Sequence, residues 1–226
     1  MLDILIPKLH KEGQKFLTIS LIASFILLLF SKFLGFLGII ISIWVFYFFR
    51  DPDRHPIYDN SFLSAPADGM ICQIERDVDG PKELSMENDK FIKVSIFMNV
   101  FNCHVNRFPI DCKVNEVFYK PGDFVNASMD DASTNNERNL IKITSTLNDE
   151  IAVVQVAGLV ARRIISYCNN IEDYKQGQRF GIIRFGSRVD LFFKNNFRVL
   201  VKKGQTVIGG ETLIASREVL SKNEKN

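Results

Sequence analysis

Three residues of the chain, Asp68, His104 and Ser187, are of the types that together activate a hydroxyl. A carboxylate orients, an imidazole takes a proton, and an oxygen attacks. Histidine is scarce. His10 precedes a long apolar region, His55 lies in a charged linker after it, and His104 alone falls in the strand-rich remainder, which makes it the candidate for proton transfer near neutral pH. Its segment, "MNVFNCHVNRFP", closes an apolar run and ends at a proline. Asp68 sits in "SAPADG", where Asp-Gly is first of all a turn. Cys103 beside His104 suggests a thiol catalyst, but neighbouring strand residues point to opposite faces, so that pair is set aside.

Ser187 lies in "RFGSRVDLFF". Alternation places Ile183, Phe185, Ser187, Val189, Leu191 and Phe193 on one face of an expected strand over Gly181–Phe193, so the hydroxyl points toward the apolar side. Buried without a partner, it costs roughly 1–3 kcal/mol. Gly186 weakens the strand as well and marks either a bulge or a close approach to the backbone. A serine hydrolase places its nucleophile on an elbow, but no G-x-S-x-G surrounds Ser187. The flanking glycine points instead to attack on the chain itself. With no side chain on Gly186, its carbonyl is open to the Ser187 oxygen. An N-to-O acyl shift then gives an ester, and elimination from that ester cuts the chain and leaves a pyruvoyl group.

The elements that must position these residues follow a sharp division. Phe16 to Phe30 and Phe33 to Phe49 are two apolar runs without a charge, separated by Ser31-Lys32. As helices they measure about 22–26 Å, slightly short of a roughly 30 Å hydrocarbon core, so a pair of thin-membrane spans and a re-entrant hairpin both fit. No A-x-A-like cleavage site follows the first run, which argues against a signal peptide. Lys8, Lys11 and Lys15 precede the pair and Arg50 and Arg54 follow it, against Lys32 between, so both ends are expected in the cytoplasm.

Beyond "FFRDPDRHP" the chain reads as short strands punctuated by Gly, Pro, Asn and Asp. Strands are expected over Gly69–Glu75, Phe91–Val100, Lys113–Tyr119, Leu140–Thr146, Ile151–Val156 and Phe197–Val201, with a loop over Asn126–Asn139 and a short helix at Arg162-Arg163. "VLVKKGQTVIGGETLIA" carries turns at Lys203-Gly204 and Gly209-Gly210 in a hairpin pattern. The fold class is therefore mainly β (α+β) after an N-terminal helical hairpin, with residues 1–50 membrane-associated and 51–226 a catalytic domain. A net charge of +2 with interspersed signs gives no nucleic-acid footprint. The four cysteines show neither zinc nor disulfide spacing, as befits reduced thiols; no metal is expected.

The motifs "FFRDP", "SAPADG", "FMNVFNCHVNRFP", "KPGDF", "NNERN", "RFGSRVDLF" and "GQTVIGGETLIA", in this order, resemble the short form of the phosphatidylserine decarboxylase family. The resemblance implies an inner-membrane proenzyme that cleaves itself between Gly186 and Ser187 into a β chain of residues 1–186 and an α chain from Ser187 to residue 226, which stay associated. It implies a covalent pyruvoyl cofactor derived from Ser187, no metal, and conversion of phosphatidylserine in the membrane to phosphatidylethanolamine and carbon dioxide, the pyruvoyl group serving as electron sink. A β-rich fold follows too, and the terminal turns are similar to those of lipoyl-type domains. Longer members carry a second histidine three residues after the first, where this chain has Arg107, so His104 serves both cleavage and decarboxylation or Arg107 takes part. Archaetidylserine is an alternative substrate, a non-enzymatic membrane-anchored β scaffold is the reading from another class, and a homo-oligomer stays open.

Overall fold

The computed structural model describes residues 7–123, 136–158, 163–184 and 187–218, which fall into two compact units: Met1–Asp53 with Val100–His104, and Arg54–Asn99 with Val105–Asn226. The first unit is built on two apolar helices, α1 (Lys11–Phe30) and α2 (Lys32–Phe48), bracketed by the short antiparallel pair β1 (Lys8–Leu9) and β2 (Arg50–Asp51). The His10 side chain caps α1 by accepting the Glu12 N–H. Ser31 ends one helix and starts the next: its N–H bonds to the Leu27 carbonyl, and its hydroxyl accepts the Leu34 N–H. A single residue therefore turns the chain.

The helices meet through small residues. A Cβ on Gly38 would stand 2.7 Å from Ser24 Oγ, and Ser24 and Ser42 hydroxyls lie 3.1 Å apart between the helices. Large apolar side chains point outward instead, with Phe30 82% and Phe33 74% exposed at the turn. Polar groups inside and apolar groups outside invert the usual order of a soluble helix pair and suit a lipid surround. The 20-residue α1 is long and apolar enough to cross a membrane by length and composition; the 17-residue α2 is shorter.

The second unit is mainly β. Its strands are β3 (Phe62–Ser64), β4 (Gly69–Asp79), β5 (Lys90–Met98), β6 (Val105–Arg107), β7 (Cys112–Lys120), β8 (Arg138–Ser145), β9 (Glu150–Val156), β10 (Arg163–Ser166), β11 (Asp173–Tyr174), β12 (Arg179–Arg184), β13 (Ser187–Phe193), β14 (Phe197–Val199), β15 (Thr206–Val207) and β16 (Leu213–Arg217). Eight of them form one curled antiparallel sheet in the order β11-β7-β8-β9-β13-β5-β4-β15, and two three-stranded sheets, β10-β12-β6 and β14-β16-β3, add further antiparallel pairs. The main core joins one face of the large sheet to the small sheets, with Ile96, Val153, Val189 and Leu191 meeting Leu63, Phe180 and Ile214. Each such side chain contributes about 1.5–3 kcal/mol by leaving water. A second cluster, in which Leu84 and Met86 cover Leu140, Val154 and Val156, buries the opposite face. Strand β9 is thus apolar on both sides, with Ile151 and Val153 in the main core and Ala152, Val154 and Val156 in the second cluster.

Three expectations need correcting. The run from Gly181 to Phe193 is two strands in different sheets, β12 ending at Arg184 and β13 beginning at Ser187; Phe185 and Gly186 lie outside the described residues. Arg163 begins a strand, because Ile164 and Ile165 pair with Ile183 and Ile182 of β12; Arg162 lies outside the described residues. The terminal turns form no hairpin of their own. Both are tied to earlier chain, Gly204 N–H to the Ile71 carbonyl and Gly210 N–H to the Ala65 carbonyl, so β15 pairs with β4. Most of the loop expected over Asn126–Asn139 also lies outside the described residues, and Arg138 and Asn139 belong to β8.

Candidate active site

Ser187 is the first residue of β13, a central strand paired on one side with β5 and on the other with β9. It stands opposite Met98, the last residue of β5, and is fully buried. Its Oγ has no hydrogen-bond partner among the described residues. A chain of buried amides nearby is matched. Asn139 Nδ2 donates to Gln155 Oε1 at 2.9 Å, Gln155 Nε2 to Asn106 Oδ1 at 2.8 Å, and Asn106 Nδ2 to the sulfur of Met98 at 3.7 Å. A buried amide chain thus runs to the residue that faces Ser187 across the ladder, and leaves that hydroxyl alone. An unpaired buried hydroxyl stores cost rather than stability, and such sites call for a task.

Asp68 immediately precedes β4, on the other side of β5 from Ser187. Because β4 and β13 both run antiparallel to β5, Asp68 and Ser187 flank the same end of that strand. The Asp68 carboxylate takes Arg54 Nη2 on both oxygens, at 3.0 and 2.7 Å, and the Gly209 N–H at 2.8 Å. Both side chains of the ion pair are 13% exposed. Arg107 is buried and donates to the Gly177 carbonyl at 2.9 Å. Its Cδ lies 3.1 Å from where a Cβ of Gly210 would be, and Gly210 has φ +82°, so this turn requires glycine on both counts. Segments 54–56, 65–69, 106–108, 177 and 209–210 are thereby knotted together around two guanidinium groups and one carboxylate.

His104 belongs to the smaller unit. Its Nδ1 lies 3.0 Å from the Asn102 carbonyl, which only accepts, so Nδ1 carries the hydrogen and Nε2 holds the bare lone pair. Nε2 is buried without a partner among the described residues. The ring packs against Phe48 at 4.3 Å between centroids. Burial pushes the pKa down to about 4; the Asn102 bond pulls it back up and the charge of Arg50 lowers it further. At neutral pH the imidazole is uncharged and in the tautomer of a proton acceptor.

The orienting group on His104 is thus a backbone carbonyl two residues away, a partner no sequence pattern announces. Arg54 and the amides of Asn106, Gln155 and Asn139 were also missed. "DRHP" and "HVNRFP" contain two of these residues, but polar side chains in linkers and at strand ends read as solvated until tertiary contacts are known. Among the described residues no group of His, Cys, Asp and Glu has metal-site geometry.

The larger unit thus buries a hydroxyl at the head of a core strand, and the smaller unit buries an uncharged imidazole beside its apolar helix pair. The sequence model of the phosphatidylserine decarboxylase family matches residues 41–215. A phosphatidylserine decarboxylase proenzyme of Pelagibacter ubique (strain HTCC1062) is 54% identical over 217 residues, covering 96% of this chain and 100% of that one. Those of Ruegeria pomeroyi (strain ATCC 700808 / DSM 15171 / DSS-3) and Xanthobacter autotrophicus (strain ATCC BAA-1158 / Py2) are 44% and 45% identical over 95% and 93% of this chain and 98% and 89% of their own. The chain belongs to the phosphatidylserine decarboxylase family, a family of enzymes.

Proposed function

We propose that the chain is a proenzyme that cleaves itself between Gly186 and Ser187 and then decarboxylates phosphatidylserine to phosphatidylethanolamine. The observation that carries this reading is the Ser187 hydroxyl, fully buried at the start of a core strand and unpartnered. Family membership supplies the reaction class.

In the cleavage, Ser187 Oγ attacks the Gly186 carbonyl carbon while His104 Nε2 takes the hydroxyl proton. The Gly186–Ser187 C–N bond breaks, the nitrogen gains a proton, and an ester remains. Loss of the Ser187 α-proton expels the Gly186 carboxylate, and water replaces the resulting imine nitrogen, releasing ammonia and leaving a pyruvoyl end. The residues fit that group: β13 holds position 187 rigidly in the ladder, and the surrounding apolar face excludes water. When formed, the pyruvoyl carbonyl supplies an electron sink for loss of carbon dioxide. Its neutral lone pair suits His104 to the first proton transfer and, once protonated, to returning a proton to the substrate carbon.

Asp68 is assigned to the processing step, acting with Arg54 to hold the Gly209–Gly210 turn, while Arg107 braces the same turn. The β chain is residues 1–186 and the α chain 187–226, the two staying associated. Residues 1–50 anchor the enzyme in the membrane where its diacyl substrate resides, with the catalytic domain of residues 51–226 on the cytoplasmic side, as the lysines and arginines flanking the helices favour.

Intact-mass spectrometry tests the scheme. Two chains divided after Gly186, the second lacking an N-terminal amine, are expected, together with conversion of phosphatidylserine by the purified protein. His104→Ala is expected to slow cleavage by roughly 10²–10⁴-fold, the usual worth of a positioned base. A single uncut chain with full activity would overturn self-processing.

A further inference from the structure

A lipid decarboxylase must hold its substrate at the depth where apolar tails give way to the head group, and one side chain of the smaller unit lies just past the end of its apolar helix pair. Arg50 follows the end of α2 by two residues and is partly exposed. Its guanidinium is fixed on three sides. Nη1 donates to the Tyr47 carbonyl at 2.7 Å, Nη2 donates to the Phe101 carbonyl at 3.0 Å, and the plane lies 3.8 Å over the Tyr47 ring.

These bonds use two of its five N–H groups, both on neutral acceptors. No carboxylate among the described residues lies within ion-pair distance, while the nearby Lys8 and Asp53 neutralise each other at 2.8 Å. A guanidinium that only capped the helix would need one bond to a last-turn carbonyl. This one is also tied to Phe101, in the loop that carries His104, and lies over an aromatic face, with three N–H groups left over. Tyr47 is 45% and Phe101 61% exposed, so an interfacial aromatic and an apolar side chain border an uncompensated, preorganised cation.

Building on the decarboxylase reading, the geometry points to Arg50 as the residue that grips the phosphodiester of the lipid head group. The depth fits, because the α2 apolar run ends at Phe49 and the phosphates of a bilayer lie just outside its hydrocarbon. The chemistry selects phosphate over the substrate carboxylate. A cation on the carboxylate would stabilise the state that must lose carbon dioxide and so oppose the reaction, whereas a grip on the phosphodiester is the same before and after. Phe101 ties the same guanidinium to the loop that carries His104.

The test uses the mature full-length protein with phosphatidylserine in neutral mixed micelles. Arg50→Gln is expected to raise KM by about tenfold or more with kcat within about threefold of the parent, the loss of a charge-assisted bond that substrate and transition state share. Arg50→Lys, which keeps the charge and loses the fork, should fall between. Binding of short-chain phosphatidylethanolamine, which has the phosphate and lacks the carboxylate, should weaken as much in Arg50→Gln. To make the test independent of processing, the same titration is run on Ser187→Ala precursors with and without Arg50→Gln, and weaker binding is expected in the latter. An unchanged KM, equal affinities in the precursors, or weakening confined to the carboxylate-bearing lipid would each overturn the assignment. A parent protein that is inactive on phosphatidylserine would instead overturn the decarboxylase reading itself.

Discussion

The two faces of β13 make opposite use of buried polar groups. On the core face Ser187 is followed by Val189, Leu191 and Phe193, and its hydroxyl is left without a partner. On the other face Arg188 and Asp190 are just as deeply buried and meet each other, Arg188 Nε to Asp190 Oδ1 at 2.8 Å and Nη2 to Oδ2 at 3.0 Å. Charges are costly to bury and survive here because they are matched; the neutral hydroxyl is cheap enough to bury unmatched. One face carries two charges that neutralise each other within the strand, and the other carries a hydroxyl left without a partner among the described residues.

Ser187→Ala is the sharpest way to test this contrast. It should abolish cleavage and activity altogether while leaving stability unchanged or raised by up to about 1 kcal/mol, since it deletes an unsatisfied group. Intact mass and denaturant unfolding read the two effects, and a marked loss of stability would show that the hydroxyl has a partner after all. Asp190→Ala should do the reverse. Leaving Arg188 buried and uncompensated is expected to cost about 3–5 kcal/mol, and the double replacement Arg188→Met with Asp190→Leu should recover most of it. Cleavage surviving at the normal rate in a destabilised Asp190→Ala protein would sharpen the division of labour.

Acid offers a third handle, on the other unpartnered atom. His104 has its pKa lowered to about 4 in the fold, below the ordinary value of 6.5, so the unfolded chain binds the extra proton first as pH falls. Stability should therefore be intact above about pH 6.5 and decline toward pH 4 by at most about 3 kcal/mol, and His104→Gln should flatten that slope. An unaltered slope would mean that other groups carry the acid sensitivity. The smallest effect is expected from Glu75→Gln on β4. Its pair with Lys93 at 2.8 Å is partly exposed, 38% and 12% for the two side chains, and should change stability by less than about 1 kcal/mol.

Alternation along the chain made much of this legible. The inward placement of Ser187 followed from its apolar neighbours at two-residue spacing, the strands β4, β5, β7, β8 and β9 emerged close to their observed bounds, and the paired apolar helices were plain from composition. What stayed hidden depends on residues distant in the chain. The change of sheet between β12 and β13 stayed hidden because both halves carry the same alternation, and Gly186 marks a weak point in the strand without saying that the chain leaves the sheet. The expected hairpin at Gly209-Gly210 failed because Ala65 and Asp68, over 140 residues earlier, capture the turn. The bond from His104 to Asn102 is local but runs to a backbone carbonyl, which every residue possesses and which therefore carries no sequence signal.

The central position of β13 has a kinetic meaning. A cut in front of Ser187 would leave a fragment whose first strand is hydrogen-bonded on both edges, by β5 and by β9, and whose later strands are spread over two more sites, β15 on β4 and β14 and β16 beside β3. β15 and β14 lie at sheet edges and could fray, but β13 sits between two strands of the other chain and cannot leave by fraying from an edge. Separation would have to wait for the whole sheet to open, so the severed chains would part no faster than the uncut protein unfolds.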